Sequence, residues 1–276
     1  LVSFAASEIG TGKGFAYQEF LDQLGAFLGP VILFVIAAIK GTGDLFSTYR
    51  LSFAVLGIPA LITIALVVLA KVKYPHPEMF EKAADAPTEF HTQKSFVLYM
   101  AAICLFAFGF ADFTLITLHA ARTGAFPTST LSLLYAAAMA VDAFAALFFG
   151  WLFDKIGLRA LMLSTLCSAF FSCFIFLTGE PVLMGVGIVL WGVGMGAQES
   201  IMKAAVSSIV PAAMRSTGFG IFETGFGIAW FLGSWLLGAL YDANPAWLVA
   251  VSVSVQLLAI VFYGLCIKKQ KKERSV

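Results

Sequence analysis

Charge is what this sequence has least of. Asp, Glu, Lys and Arg together make up 12% of its 276 residues, where a soluble domain carries about 25%. So few polar groups could not cover the surface of a water-soluble globule, and that class is excluded. Catalytic signatures are missing too. There is no HExxH, no phosphate loop and no catalytic-triad pattern, so no enzyme is expected. No segment resembles a selectivity filter, which argues against a channel. The four cysteines (Cys104, Cys167, Cys173, Cys266) lie in apolar runs without a CxxC pair or metal-ligand spacing, so no metal site is expected. A net charge of +1 without a basic, aromatic-studded stripe gives no reason for a nucleic-acid partner. No cofactor is expected either.

What is present is apolar. Hydrophobic residues make up 60% of the chain, 28 of them Phe, and the mean hydropathy is +0.93. A helix needs roughly 20 apolar residues to cross a bilayer, where backbone polar groups must bond internally. Runs at about 17–39, 51–70, 95–118, 127–150, 160–178, 181–203, 218–241 and 245–267 meet that length. The fold class is therefore an all-α polytopic membrane protein with eight transmembrane helices and the bilayer as its partner.

The longest polar stretch, 71–94, carries four basic residues, four acidic residues and three prolines, and reads as a linker between two bundles. Lys and Arg mark the cytoplasmic side. With the N-terminus inside, 14 of the 17 fall in cytoplasmic segments, and only Lys40, Arg50 and Arg122 fall outside. Both termini are then cytoplasmic, and 268–276 is a basic cytoplasmic tail. The stretch GWLFDKIGLR (150–159) lands on the same side, between two apolar runs.

The chain also repeats itself. Residues 14–29 superpose on 218–233 at an offset of 204, matching Gly, Phe, Glu, Phe, Leu and Gly, with Glu19 over Glu223. That offset equals about six spans with their loops. Parallel repeats of this kind occur in transporters.

The pattern resembles the major facilitator superfamily, whose two six-helix halves are joined by a cytoplasmic linker. GWLFDKIGLR matches that superfamily's loop signature Gly-x-Leu-x-Asp-Arg/Lys-x-Gly-x-Arg through Gly150, Leu152, Asp154, Lys155, Gly157 and Arg159. The resemblance implies that the chain corresponds to helices 5–12. On that numbering 1–70 holds the last two helices of the first bundle, 71–94 the linker and 95–267 the complete second bundle. Helices 1–4 are then missing, and the full reading frame is expected to carry four more spans. Gly25-Ala-Phe-Leu-Gly29-Pro30 resembles the GxxxGP kernel of helix 5 in antiporters of this superfamily, although the glycine pair that usually follows is absent here. Gly25 and Gly29 read equally as a close-packing face. In this superfamily helices 6, 9 and 12 face lipid, and the spans so assigned (51–70, 160–178, 245–267) contain no Asp, Glu, Lys, Arg or His.

Ionisable groups at membrane depth are costly and mark sites. Asp112 and Asp142 are the leading candidates for a proton or a cationic substrate, with Thr128, Ser132 and Tyr135 on the stripe of Asp142. His119 is a candidate proton relay on the face of Asp112. Asp22, Gln198 and Trp191 complete the expected binding residues. A cytoplasmic gate is expected from Gly150, Asp154, Lys155, Gly157 and Arg159, with Asp154 capping helix 5 and Arg159 pairing with Glu199. Glu19 and Glu223 flank that gate. The resemblance implies a monomeric secondary active transporter in the cytoplasmic (inner) membrane. It would move a small molecule by alternating access, with proton coupling, as symporter or antiporter. A transporter-like sensor or ligand-binding scaffold is the alternative.

Overall fold

A computed structural model of the chain describes residues 9–40, 45–75, 94–127, 130–211 and 214–274. Most of the expected linker, Thr128 and the side chain of Ser132 lie outside the described residues. Apolar runs leave the backbone no partner but itself, so the described chain is all helix: α1 (Thr11–Lys40), α2 (Leu45–Lys73), α3 (Lys94–Gly109), α4 (Phe113–Thr123), α5 (Leu131–Ile156), α6 (Arg159–Ser168), α7 (Phe171–Phe176), α8 (Pro181–Ile209), α9 (Arg215–Ala243) and α10 (Pro245–Arg274). Pairing α3 with α4 and α6 with α7 gives eight spans long and apolar enough to cross a membrane.

The third span departs from the expectation of one continuous helix over 95–118. Its helix stops at Gly109 and restarts at Phe113. Carbonyls freed at such a break must find new donors. The Gly109 carbonyl accepts from Ser252 Oγ at 2.7 Å and Gln256 Nε2 at 3.3 Å, both on α10. The Ala111 carbonyl accepts from Trp191 Nε1 on α8 at 2.9 Å. The break is thus built into the packing of three helices, and it ends on Asp112.

α5 lies between α1 and α8, while α10 runs along α3. Tyr99, Phe106, Phe110, Phe171, Ile201 and Tyr263 fill the core, each fully buried. α2 shows its apolar side chains outward along its length (Leu61 is 69% exposed, Val67 63%), as a lipid-facing helix should. Two seams have helix backbones nearly touching. A Cβ on Gly150 of α5 would lie 2.7 Å from the Gly12 carbonyl oxygen and against Ala16 of α1. A Cβ on Gly192 of α8 would lie 2.8 Å from the Ala138 oxygen, and one on Gly196 would meet the Asp142 backbone.

The face of Gly25 and Gly29 takes part in neither seam. Nothing described lies within 4 Å of a Cβ at either glycine. α1 meets α5 along its first half, with Gly12 and Ala16 as the small residues at its start and Phe20 against Phe144 further along. Pro30 lines an apolar groove with Phe34, Phe113 and Tyr135.

Candidate functional site

Between α1, α5, α8, α9 and the break before α4 lies a cavity of about 550 Å³. Among the described residues its wall holds five carboxylates, Glu19, Asp22, Asp112, Asp142 and Glu199, and a single lysine, Lys203. Trp191, Trp230, Tyr135 and Phe113 give it aromatic surface.

At one end, Asp112 sits in extended backbone (φ −61°, ψ 147°) at the N-cap position of α4, but its side chain does not cap that helix. It reaches across to α9 instead. Trp230 Nε1 donates to one carboxylate oxygen at 2.6 Å, and the Ser234 hydroxyl donates to the other. Trp230 and Ser234 are four apart on one helix, so a single helix face supplies both donors.

At the other end, Glu19 on α1, Asp142 on α5 and Glu199 on α8 converge, with one oxygen from each within 4.8 Å of the others. Gln23 Nε2 bridges two of them, donating to Glu19 at 2.8 Å and Glu199 at 3.1 Å. Lys203 lies 3.7 Å from Glu19. Asp142 is 0% exposed, and neither of its oxygens has a hydrogen-bond partner among the described residues.

The expected binding residues divide on this geometry. Asp22 and Trp191 line the cavity with Asp112 and Asp142. His119 does not. It is buried against Phe176 and Tyr241, with Nδ1 2.9 Å from the Tyr241 hydroxyl. Counting helical turns from Asp112 to His119 assumed an unbroken helix, and the restart at Phe113 turns that face elsewhere. Gln198 also faces away from the cavity. Its Nε2 donates to Thr165 at 2.7 Å and Ser164 at 3.2 Å, and its Oε1 accepts from the Tyr263 hydroxyl at 3.4 Å. One residue is about 100° of helix, so Glu199 faces the cavity while Gln198 faces α6 and α10.

The glycine-bounded turn is organised by Asp154. The first amides of a helix have no intrahelical acceptor, and at α1 the Asp154 carboxylate takes two of them, Gly12 N–H at 2.7 Å and Lys13 N–H at 3.0 Å. Gly157 ends α5 at φ +62°, a conformation other residues rarely adopt, and its N–H donates to the Phe153 carbonyl at 2.7 Å. Lys155 lies 3.8 Å over the Trp151 ring.

The expected pairing of Arg159 with Glu199 is not what the structure holds. Arg159 lines grooves with Ile267 and Lys271 of α10. Glu199 lies about ten residues inside the end of α8, roughly 15 Å along the axis. The two side chains sit at different depths. Glu223 is exposed, whereas its repeat mate Glu19 is 4% exposed.

Sequence reading missed Gln23 and Ser234, although their positions four residues from Glu19 and Trp230 carried the signal. The gathering of three acids from three helices left none, because no local spacing encodes it.

Comparison with known proteins agrees with the architecture. Three mycobacterial sequences, each named only an uncharacterized protein, are 33% identical to the chain over 267 residues, one from Mycobacterium bovis and two from Mycobacterium tuberculosis strains. The match covers 95% of this chain and 64% of each relative, so the chain spans about two-thirds of their length. The model of the Major Facilitator Superfamily matches residues 113–276, from the first residue of α4 through α10. The helical spans, the aspartate-centred turn and this match over more than half its length place the chain in the major facilitator superfamily.

Proposed function

We propose that the protein is a proton-coupled secondary active transporter of a small cation, working by alternating access in the cytoplasmic membrane. One observation carries the substrate charge: five carboxylates and a single lysine face one cavity. Such a wall concentrates cations and repels anions. Its tryptophans can stack on an organic cation, an attraction worth about 0.5–2 kcal/mol. Asp112 is the coupling group. Ionised, it accepts from Trp230 and Ser234 and ties the break before α4 to α9. Protonated, it gives up acceptor capacity and loosens that tie, so a proton and the substrate cation compete for one carboxylate. Superfamily membership supports a transporter and not an enzyme. On this reading α1 and α2 are the last helices of the first bundle, and α3–α10 form the second.

The test is proteoliposomes holding a pH dye and an imposed proton gradient, presented with panels of cationic, neutral and anionic compounds. Cations are expected to dissipate the gradient with the wild type. Asp112→Asn keeps hydrogen-bonding capacity but cannot exchange a proton, and should lose gradient dissipation while still binding. Dissipation by anions alone, by no compound, or undiminished in Asp112→Asn overturns the reading.

Asp154 is the cytoplasmic latch on this reading, since its two bonds join α5 of one bundle to α1 of the other. Asp154→Asn keeps shape but loses the charge–dipole attraction, about 0.3–1 kcal/mol and up to ~2 when partly buried. An equilibrium moves tenfold per about 1.4 kcal/mol. A cysteine placed near the start of α1 should therefore label faster from the cytoplasmic side in Asp154→Asn. Arg159→Ala should label like the wild type, because Arg159 does not reach Glu199. Equal labelling in all three would leave the turn with no latch.

A further inference from the structure

We propose that Glu19, Asp142 and Glu199, together with the side-chain oxygen of Gln23, form a binding site for a hard divalent metal cation at the inner end of the cavity. The inference rests on the reading of that cavity as the ligand site, but not on transport through it. Acids gathered from three helices repel one another, and a fold gains nothing from the gathering alone. Among the described residues, the one cation in an ion pair with the cluster is Lys203, 3.7 Å from Glu19. With all three carboxylates ionised and Lys203 charged, the cluster keeps a net charge of −2, which a dication neutralises.

Asp142 gives the second observation. It is fully buried and aimed at the other two acids, yet both its oxygens lack a partner among the described residues. Gln23, 8% exposed, spends its amide nitrogen on Glu19 and Glu199, and its Oε1 has no partner either. Buried acceptors are nearly always satisfied, so the two orphan oxygens of Asp142 beside two further acids call for an electropositive occupant. Rotating the terminal Gln23 torsion exchanges its nitrogen and oxygen, which would turn a fourth oxygen toward that occupant.

The donor set selects the class of metal. Every ligand is a carboxylate or amide oxygen, with no His or Cys, which suits calcium, magnesium or manganese over softer ions. Coordination flexibility narrows it further. Three oxygens within 4.8 Å of one another, drawn from three helices, form an irregular set, which Ca²⁺ tolerates, whereas Mg²⁺ demands near-octahedral geometry and dehydrates reluctantly. Glu19 and Gln23 come from α1 while Asp142 and Glu199 come from α5 and α8, so the ion would join α8 to the two helices that Asp154 latches.

Trp191 and Trp230 line the same cavity and report occupancy. The full-length protein, purified and stripped with chelator, is titrated with Ca²⁺, Mn²⁺ and Mg²⁺ separately while tryptophan fluorescence and heat are followed. A saturable, chelator-reversible response is expected, tighter for Ca²⁺ than for Mg²⁺. Asp142→Asn and Glu199→Gln should each weaken it by about tenfold or more. Asp242→Asn, which breaks an exposed pair with Arg122, should leave it unchanged. If a triad variant does not survive purification, Gln23→Ala supplies the same test without touching an acid. Absence of a saturable response to all three ions in the wild type overturns the site, as does an undiminished response in the variants. Cation binding without movement of any compound would instead remove the transport reading and leave the site. Gradient dissipation without metal binding would do the reverse.

Discussion

Asp142→Asn is expected to make the metal-stripped protein more stable while abolishing its response to divalent cations. The substitution conserves shape and removes one of three like charges crowded within 4.8 Å. Asp142 is completely buried and has no described hydrogen-bond partner, so it contributes desolvation cost without a compensating contact. Replacing buried ionic groups by hydrophobic residues of similar volume is often neutral or stabilising by about 1–4 kcal/mol. Asn keeps polar atoms that must also be buried, which places the expected gain in the lower half of that range. At roughly 2–4 °C per kcal/mol for chains of this size, the melting temperature should rise by several degrees in alkaline buffer containing chelator. Adding Ca²⁺ should reverse the order, because a ligand stabilises only the protein that binds it. A melting temperature that falls or stays level in chelator would mean that Asp142 is held by contacts and serves the fold.

The balance of stability against function also explains what was legible in the sequence. The spans were readable because crossing a bilayer demands about 20 apolar residues whatever the neighbours are. The Asp154 turn was readable for a related reason: a carboxylate beside two cations on a glycine-bounded loop serves no topological purpose, which pointed to the helix end that the structure places against it. The break at Gly109 was not readable. It is stabilised by Ser252, Gln256 and Trp191, which lie far along the chain. Once the break was missed, the face of His119 was misassigned, since a periodicity argument holds only while the helix is continuous. Arg159 was matched to Glu199 by charge alone, without the depth that separates them. Asp142 was noticed as an embedded acid and Glu19 and Glu199 as gate residues, but their meeting is a property of packing, set by the seam where α5 and α8 touch.

That seam supports the last prediction and the largest loss. Gly196→Ala should severely destabilise the protein and disable the cavity together. A Cβ at position 196 would stand 2.8 Å from the Asp142 carbonyl carbon and 2.7 Å from its carboxylate oxygen. Backbone atoms cannot rotate out of the way as a side-chain tip can, so α5 and α8 must separate. Overpacking of this kind typically costs about 1–3 kcal/mol and more when backbone is displaced. Gly192, one turn earlier, meets the Ala138 oxygen in the same seam, so the strain cannot relax by pivoting about it. Glu199 lies less than a turn beyond Gly196 on α8, and separating the helices draws it from Asp142. Gly185→Ala on the same helix is the control, because nothing lies within 4 Å of its added Cβ. There the substitution adds only helix propensity, worth up to about 1 kcal/mol in favour of Ala. Thermal unfolding of both variants in detergent, followed by tryptophan fluorescence, should show Gly185→Ala at or above the wild type. Gly196→Ala should unfold many degrees lower or fail to accumulate in the membrane. Similar melting of the two variants would mean that α5 and α8 do not touch at Gly196, and the convergence of the three acids would lose its structural basis.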